Sequence, residues 1–461
     1  MRSVWVGFPT APYTHQSAVN AAEKVLEPAG WTIHRIDPTQ DFRLEEVKLP
    51  KADVYFGDYD LLPFEDVHPK SGTQSDTSGG EAVPYPQLSS YVIRKSLIRK
   101  NYLAHSLHLA KVKNQPSTSQ NDDIAPATWI FEATCAEDLD ELLADDLYDV
   151  KEILESDQNR WFILKPAMAD QGMGIRLFNS IESLEAIFEE FEEESDEEED
   201  EETNVAQNSS STAVVISQVR QFVIQEYLQN PLVIQAPTLE NYHKFHIRAY
   251  VLAQGSLRVF LYDEMLALFA PKAYSDPEQN DDEEIDLSAH LTNTSRQDDE
   301  QSLKTVHLLS DLEGSKIGPG ATSTVLTSEH LNAIRLGSAA TIAEAFEACT
   351  KAGRIHFQPW PNAWEIFGVD LMVTVPNASP TQSISPNDLR VWLLEINAQP
   401  DFAKSGPKLQ EKIDRLFERS LEIAVLGQDG EDENAEKKWQ AGSSRKDMTL
   451  CLDIPMSSGG W

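Results

Sequence analysis

The amino-acid sequence predicts a mixed α/β protein of three lobes and a tail. Short strand-like runs alternate with helical stretches near the N-terminus, and long apolar strand pairs dominate the second half. The 461 residues, 41% of them apolar, supply enough material for several cores.

Residues 1–120 are expected to form an N-terminal α/β lobe. VWVGF, a helical stretch at 18–26, WTIHRI and DVYFGDY give strand, helix, strand, strand. The polar loop KSGTQSDTSGGEAVPYPQ then leads to a helix over 91–110, on which Lys95 and Arg99 are four apart and share a face.

Residues 121–232 are expected to form a central lobe. WFILKP and IRLFN are strands flanking the glycine-containing loop AMADQGMG, SIESLEAIFEEF is a helix, and QFVIQEYL is a strand closed by the turn QNPL. The segment 189–212 reads as an acidic, disordered insert.

Residues 233–426 form the largest expected lobe. KFHIRAYVLAQ and LRVFLYDEMLALF pair as strands, 274–286 is a second acidic insert, and helices follow at 328–336 and 339–352. WEIFGVDLMVTV and VWLLEIN are two further strands, and a helix over 408–426 closes the lobe. The pattern is weak over 427–461, which is expected to be a flexible or docking tail.

Lys and Arg number 38 against 76 Asp and Glu, a net charge of −38. Such a chain repels polyanions, which disfavours direct nucleic-acid binding and requires any anionic substrate to be met by a local basic pocket. The charge is partly concentrated: EEFEEESDEEEDEE carries 12 acids and DPEQNDDEEID carries 7, neither with a base. No apolar run reaches the ~18 residues of a membrane span and the first residues lack a signal-peptide layout, so a cytoplasmic protein is expected. Three widely spaced cysteines, Cys135, Cys349 and Cys451, read as reduced thiols.

The chemistry is sought where polar residues interrupt apolar strands. In VWLLEINAQPDF the period of two puts Val391, Leu393, Glu395 and Asn397 on one face and Trp392, Leu394 and Ile396 on the other. A buried charge needs a partner. If FGVDLMV pairs with this strand as a hairpin, Asp370 joins Glu395 and Asn397, and two carboxylates with an amide oxygen suit Mg²⁺; a buried salt bridge or a solvated strand end is the alternative.

In KFHIR, Lys244, His246 and Arg248 share a face, either a phosphate-facing row or a solvated outer face. Lys165 precedes a loop in which Gly172 and Gly174 let backbone approach phosphate oxygens. This is not a GxxxxGK[ST] loop, and a lone GxG is weak evidence.

In order, RKSLIRK, FILKPAMADQGMGI, VIQEYLQNPLVI, KFHIRAYVL, HLTNTS, FGVDLMV and VWLLEINAQP resemble the tubulin–tyrosine ligase family, a branch of the ATP-grasp fold. The resemblance covers about residues 90–425, and the N-terminal lobe with YFGDYDLLPF is compatible with it. It implies an ATP-grasp fold with a pre-ATP-grasp-like N-terminal lobe, and ATP and Mg²⁺ as cofactors.

It further implies that Lys95 and Lys165 contact ATP phosphates and that Gln225, Glu226, Tyr227 and Leu228 run along the adenine. Lys244, His246 and Arg248 would face the phosphates and acceptor, Thr292 and Asn293 would lie near ribose and phosphate, and Asp370, Glu395 and Asn397 would hold magnesium. Arg248, Lys244 and Glu395 are the expected catalytic set. Such enzymes phosphorylate a carboxylate with ATP and let an amine displace the phosphate, work done mainly by positioning and charge neutralisation.

Two departures bear on function. His246 stands where the family usually has Asp, and Asp263 and Leu268 stand where its members place arginines that grip an acidic acceptor tail. The resemblance therefore implies a ligase that adds a free amino acid (Tyr, Glu or Gly) to tubulin or another protein with an acidic tail. The alternative is a catalytically altered nucleotide-binding protein, since some fungal proteins resembling the family are linked to messenger-RNA decay bodies. A small-acid ATP-grasp ligase is a third reading. The acidic run at 189–202 could also mimic such a tail.

Overall fold

The structure is a computed structural model. It describes residues 2–36, 49–67, 86–113, 123–157, 159–167, 173–201, 221–277, 285–292, 304–318, 324–376, 382–402, 409–428 and 439–454, with side chains of 193–201 excepted.

The first sheet is parallel. Its strands β1 (Ser3–Gly7), β2 (Thr32–Arg35), β3 (Val54–Gly57) and β4 (Gln87–Leu88) lie in the order β2-β1-β3-β4, with helix α1 (Pro12–Val25) as the first crossover. Val4, Val6, Val54 and Phe56 meet Ala18, Ala21 and Ala22 of α1 in one core, while Trp5 and Tyr55 on the opposite face join the core of the large sheet. The period of two thus ties this lobe to the rest on both faces.

Two helices follow, α2 (Lys95–Ile98) and α3 (Lys100–Lys113). The second sheet is antiparallel, with β5 (Thr128–Glu132), β6 (Phe162–Pro166), β7 (Arg176–Phe178) and β8 (Gln221–Glu226) in the order β5-β8-β6-β7. Helices α4 (Asp138–Leu142), α5 (Tyr148–Ser156) and α6 (Ile181–Glu201) bury Leu139, Val150, Phe188 and Phe191 against Phe162, Leu164, Phe222 and Ile224. Ile163, Lys165 and Gln225 alternate with these residues and so face the other way, towards a cavity.

The large sheet comprises β9 (Val233–Gln235), β10 (His243–Gln254), β11 (Arg258–Tyr262), β12 (Leu266–Phe269), β13 (Val306–Leu308), β14 (Lys316–Gly318), β15 (Trp364–Thr374), β16 (Arg390–Ala398), β17 (Ser444–Arg445) and β18 (Met448–Asp453). Its spine is β10. β15 runs antiparallel along one edge over Ile247–Gln254, while β12 and β11 share the other. Both faces are covered: Phe245, Ile247, Ala249, Val251 and Ala253 enter one core, Tyr250 and Leu252 the other. The helices α7 (Ser328–Lys351) and α8 (Gln410–Ala424) pack on opposite faces, with Ile334, Ile342 and Phe346 in the first core and Ile413, Leu416 and Phe417 in the second. Lys244, His246 and Arg248 have the parity of Tyr250 and Leu252, so their row is the continuation of a core face, not a solvated outer one.

Several boundaries differ from expectation. The acidic run is not disordered from residue 189: α6 continues through it to Glu201, and 202–212 lie outside the described residues. Phe188 and Phe191 anchor that helix, and Glu190 pairs with Arg176. Of the insert 274–286, residues 278–284 lie outside the described residues, whereas Asp286 pairs with Lys272 at 2.6 Å.

The helices expected at 328–336 and 339–352 are one helix. Gly337 is no break: a Cβ there would meet Val391 Cγ2 at 2.8 Å, so the glycine lets α7 lie close against β16. The tail is not flexible throughout, because β18 pairs with β11 and buries Met448, Leu450 and Cys451.

Candidate active site

An open cleft lies between the central and large sheets. The inward row of β6 and β8 lines one side and the polar end of β10, β15 and β16 lines the other. Apolar groups such as Ile163, Ile175, Met372 and Leu394 share it with charged ones.

Two lysines define its electrostatics. Lys244 is 2% exposed; its Nζ donates to Tyr227 Oη at 3.0 Å and lies 4.1 Å from that ring's centre. Lys165 Nζ donates to Gln225 Oε1 at 2.8 Å. Among the described residues neither ammonium has a carboxylate at ion-pair distance. Burial lowers Lys165 to about 8, with Lys100 adding repulsion and Glu395 and Asp370 opposing it. Burial, then Lys165, lowers Lys244 to about 7. Two desolvated amines with no ion-paired carboxylate among the described residues favour a bound anion.

Opposite them stand the polar groups of the β15–β16 hairpin. Asp370 faces Glu395 and Gly368 faces Asn397, but the next pair is Leu371 with Leu393. Leu394 is therefore the extra residue of a β-bulge. The strict alternation expected for VWLLEIN fails here: Leu393 and Ile396 both enter the core, while Leu394, Glu395 and Asn397 line the cavity. The bulge is the physical reason two polar residues sit in an apolar strand without being buried in its core.

Asn397 Nδ2 lies 3.2 Å from Asp370 Oδ2 and 3.3 Å from Glu395 Oε1. Arg248 grips both oxygens of Asp370, Nε to Oδ1 at 2.5 Å and Nη2 to Oδ2 at 3.0 Å. Gly368 permits this, since a Cβ there would meet Arg248 Cδ at 3.3 Å and Pro400 Cβ at 2.9 Å. Burial pushes the Asp370 carboxyl up, but the Arg248 guanidinium pulls harder and holds it below its ordinary value.

The donor set fits a divalent cation. The two carboxylates supply hard oxygens, and the Asn397 amide, which turns its Nδ2 to both of them, would offer its oxygen to a cation once flipped. Among the described residues no three His, Cys, Asp or Glu side chains group to hold a metal, so the amide and the ligand's own oxygens must complete any such site.

His246 is 5% exposed, and its Nδ1 lies 2.6 Å from Thr292 Oγ1. Burial lowers its pKa, which leaves it neutral. Tyr227 Oη, accepting from Lys244, also lies at hydrogen-bond distance, 3.1 Å, from His290 Nδ1. Burial and Lys244 take His290 down to about 4. Glu226 is tied to Arg160, and Gln225 Nε2 donates to Thr128 Oγ1 at 3.1 Å. Gln225, Glu226, Tyr227 and Leu228 all line the cavity, but the Tyr227 hydroxyl serves Lys244.

Lys95 does not line the cavity. The helix expected over 91–110 is broken at Arg99, whose ψ of 123° is extended, and Lys95 is left exposed on α2. Lys100, the last residue of the repeated Ile-Arg-Lys, takes its place and lies 3.7 Å from Glu395. The repeat was the available signal. Asn293 lies outside the described residues, whereas Thr292 is a lining residue. Arg160 and His290 were not foreseen.

At the departures, Leu268 is 6% exposed, paired with His246 across β10 and β12 and packed in the core. Asp263 accepts from Thr449 Oγ1 at 2.5 Å and from Ser444, so it holds the C-terminal hairpin.

Sheets, helices and cavity together define an α/β protein of the ATP-grasp fold. The sequence profile of the Tubulin-tyrosine ligase family matches residues 84–433, and the chain belongs to that family. It is 35% identical over 81% of its length to the probable tubulin–tyrosine ligase PBY1 of Saccharomyces cerevisiae, of which it spans 46%. It is 34% identical over 82% of its length to a probable tubulin–tyrosine ligase of Schizosaccharomyces pombe, of which it spans 83%. The fold resembles the C-terminal domain of K. lactis Pby1, an ATP-grasp enzyme interacting with the mRNA decapping enzyme Dcp2, with a TM-score of 0.59, 27% identity and 99% of both chains covered.

Proposed function

We propose that this protein binds ATP with Mg²⁺ and joins a carboxylate to an amine, as a ligase of the tubulin–tyrosine ligase type. The observation that carries this reading is the buried Lys244 and half-buried Lys165, neither with a carboxylate at ion-pair distance among the described residues, opposite the convergent Asp370, Glu395 and Asn397. A triphosphate supplies the charge the lysines lack. Gln225 to Leu228 with Ile163 and Met372 would flank the adenine.

A divalent cation held by Asp370, Glu395 and Asn397 would neutralise phosphate charge. An acceptor carboxylate oxygen attacks the γ-phosphorus, the bond to the β-phosphate oxygen breaks, and ADP leaves. An incoming amine then attacks the acyl carbon, expels phosphate and loses a proton, giving an amide. Lys165 and Lys244 hold the γ-phosphate in line, and Arg248, which is not among the cavity's lining residues, holds the Asp370 carboxylate in place. The test is ATP turnover and amino-acid incorporation with tubulin and each of tyrosine, glutamate and glycine. Incorporation that is lost in Glu395→Gln supports the reading, and no incorporation with any acceptor weighs against it.

A second reading draws on Leu268 and Asp263. Leu268 is packed in the core and Asp263 faces the tail hairpin, so neither supplies an acceptor-gripping cation. The protein would then be a cytoplasmic nucleotide-binding partner of the mRNA-decapping machinery, as the interaction of K. lactis Pby1 with Dcp2 suggests. ATP binding without acceptor-dependent hydrolysis, with direct binding to a decapping enzyme, favours this second reading.

A further inference from the structure

The His246 Nε2 atom is buried and has no hydrogen-bond partner among the described residues, although its ring lines the cavity. Its other nitrogen is fixed by Thr292 Oγ1 at 2.6 Å, so the ring cannot swing away without breaking that bond. Nε2 lies 3.7 Å from Asp370 Oδ1, too far for a hydrogen bond yet close enough for the carboxylate to favour a proton on that nitrogen. With the proton on Nε2, Nδ1 accepts from the Thr292 hydroxyl and Nε2–H is a donor with no acceptor among the described residues. Along the strand it stands between Lys244 and Arg248 on the same face.

We propose that His246 donates from Nε2 to a phosphate oxygen of the nucleotide, and that this lets the site hold a triphosphate with reduced dependence on a divalent cation. The inference rests on the ATP-binding reading above. An aspartate at this position can only accept, so it repels a phosphate unless a cation lies between them; an imidazole N–H needs no such intermediary. A ribose hydroxyl is the other acceptor in reach of such a donor, and the measurements separate the two.

The experiment is equilibrium binding of ATP and of adenosine to the full chain, each with EDTA and with Mg²⁺, for wild type, His246→Asp and His246→Gln. A charged hydrogen bond of ordinary strength predicts that His246→Asp weakens ATP binding about tenfold or more in EDTA. Added Mg²⁺ should recover most of that loss, and adenosine affinity should not change in either variant. His246→Gln, which keeps an N–H donor and adds no charge, should lose less than His246→Asp. Thermal unfolding of both variants separates lost binding from lost folding, and His246→Gln carries the test if His246→Asp does not fold.

Equal ATP affinities of wild type and both variants in EDTA overturn the inference. So does a parallel loss of adenosine affinity, which assigns the donor to the sugar. If the wild type binds neither ATP nor adenosine, the ATP-binding reading itself falls.

Discussion

Arg248 and Asp370 face each other across neighbouring strands, guanidinium to carboxylate, with Nε–Oδ1 2.5 Å and Nη2–Oδ2 3.0 Å. The pair joins the two functions expected of this face. Asp370 belongs with the metal-binding oxygens, and Arg248 is the cation nearest them. Asn397 adds a third donor to Asp370, so the carboxylate is already well satisfied.

Asp370→Asn leaves the Arg248 guanidinium partly buried and without its charge partner. Breaking such a pair should lower stability by roughly 2–4 kcal/mol. Glu395→Gln is expected to differ: Glu395 is 28% exposed and its Lys100 contact is 3.7 Å, so stability should change by less than about 1 kcal/mol. Urea unfolding compares them. Equal stability losses would show that Arg248 does not depend on Asp370.

ATP binding should weaken as pH rises. In the free protein burial holds Lys244 near 7 and Lys165 near 8, so above these values they are neutral. A bound phosphate favours their charged forms, so binding above pH 8 must take up protons, and affinity falls by up to about tenfold per pH unit for each group that must protonate. The sign for stability is opposite. A lowered lysine pKa stabilises the fold at high pH and loses that contribution as pH falls from about 10.5 to about 7. The rise in Tm caused by ATP should therefore be greater at pH 7 than at pH 9. Calorimetry at pH 8.5 in two buffers of different ionisation enthalpy should register proton uptake.

Lys100→Ala should weaken ATP binding and Lys95→Ala should not. Lys100 lines the cavity beside Glu395, whereas Lys95 is exposed on α2. Losing one phosphate-facing ammonium should cost about tenfold or more in ATP affinity. Equal loss in the two variants would mean that α2 and α3 rearrange when nucleotide binds.

These lysines show where the sequence was legible and where it was not. The alternation of apolar and basic residues in KFHIR was enough to place Lys244, His246 and Arg248 on one face, because strand periodicity survives burial on both sides. The hairpin joining Asp370 to Glu395 followed from two apolar strands separated by a single connection. The choice between Lys95 and Lys100 turns on a single extended residue, Arg99, inside a stretch of unbroken helical pattern, and no propensity marks it. The bulge at Leu394 was hidden for a similar reason, since an extra leucine in an apolar strand looks like any other. The closing strands of the tail were missed because their partner, β11, lies almost two hundred residues away in sequence.

That tail supplies the last prediction. β17 and β18 form a tight hairpin whose turn residues Lys446 and Asp447 have φ of 45° and 69°. Asp263 accepts from Thr449 and Ser444, Arg419 Nε donates to Lys446 O at 2.9 Å, and Arg335 Nη1 donates to Thr449 Oγ1 at 2.8 Å. Met448 and Leu450 are fully or almost fully buried in the second core. Leu450→Ala should cost about 2–4 kcal/mol through the lost apolar burial and the cavity left behind. Deleting 439–454 removes the whole contribution and exposes the edge of β11, so the truncated chain should unfold at lower temperature and aggregate at that edge. Asp263→Ala should lie between wild type and the deletion, because it loosens the hairpin without removing its apolar side chains. If the deletion leaves Tm and solubility unchanged, the hairpin does not stabilise the large sheet and the hydrogen-bond network around Asp263 carries no net stability.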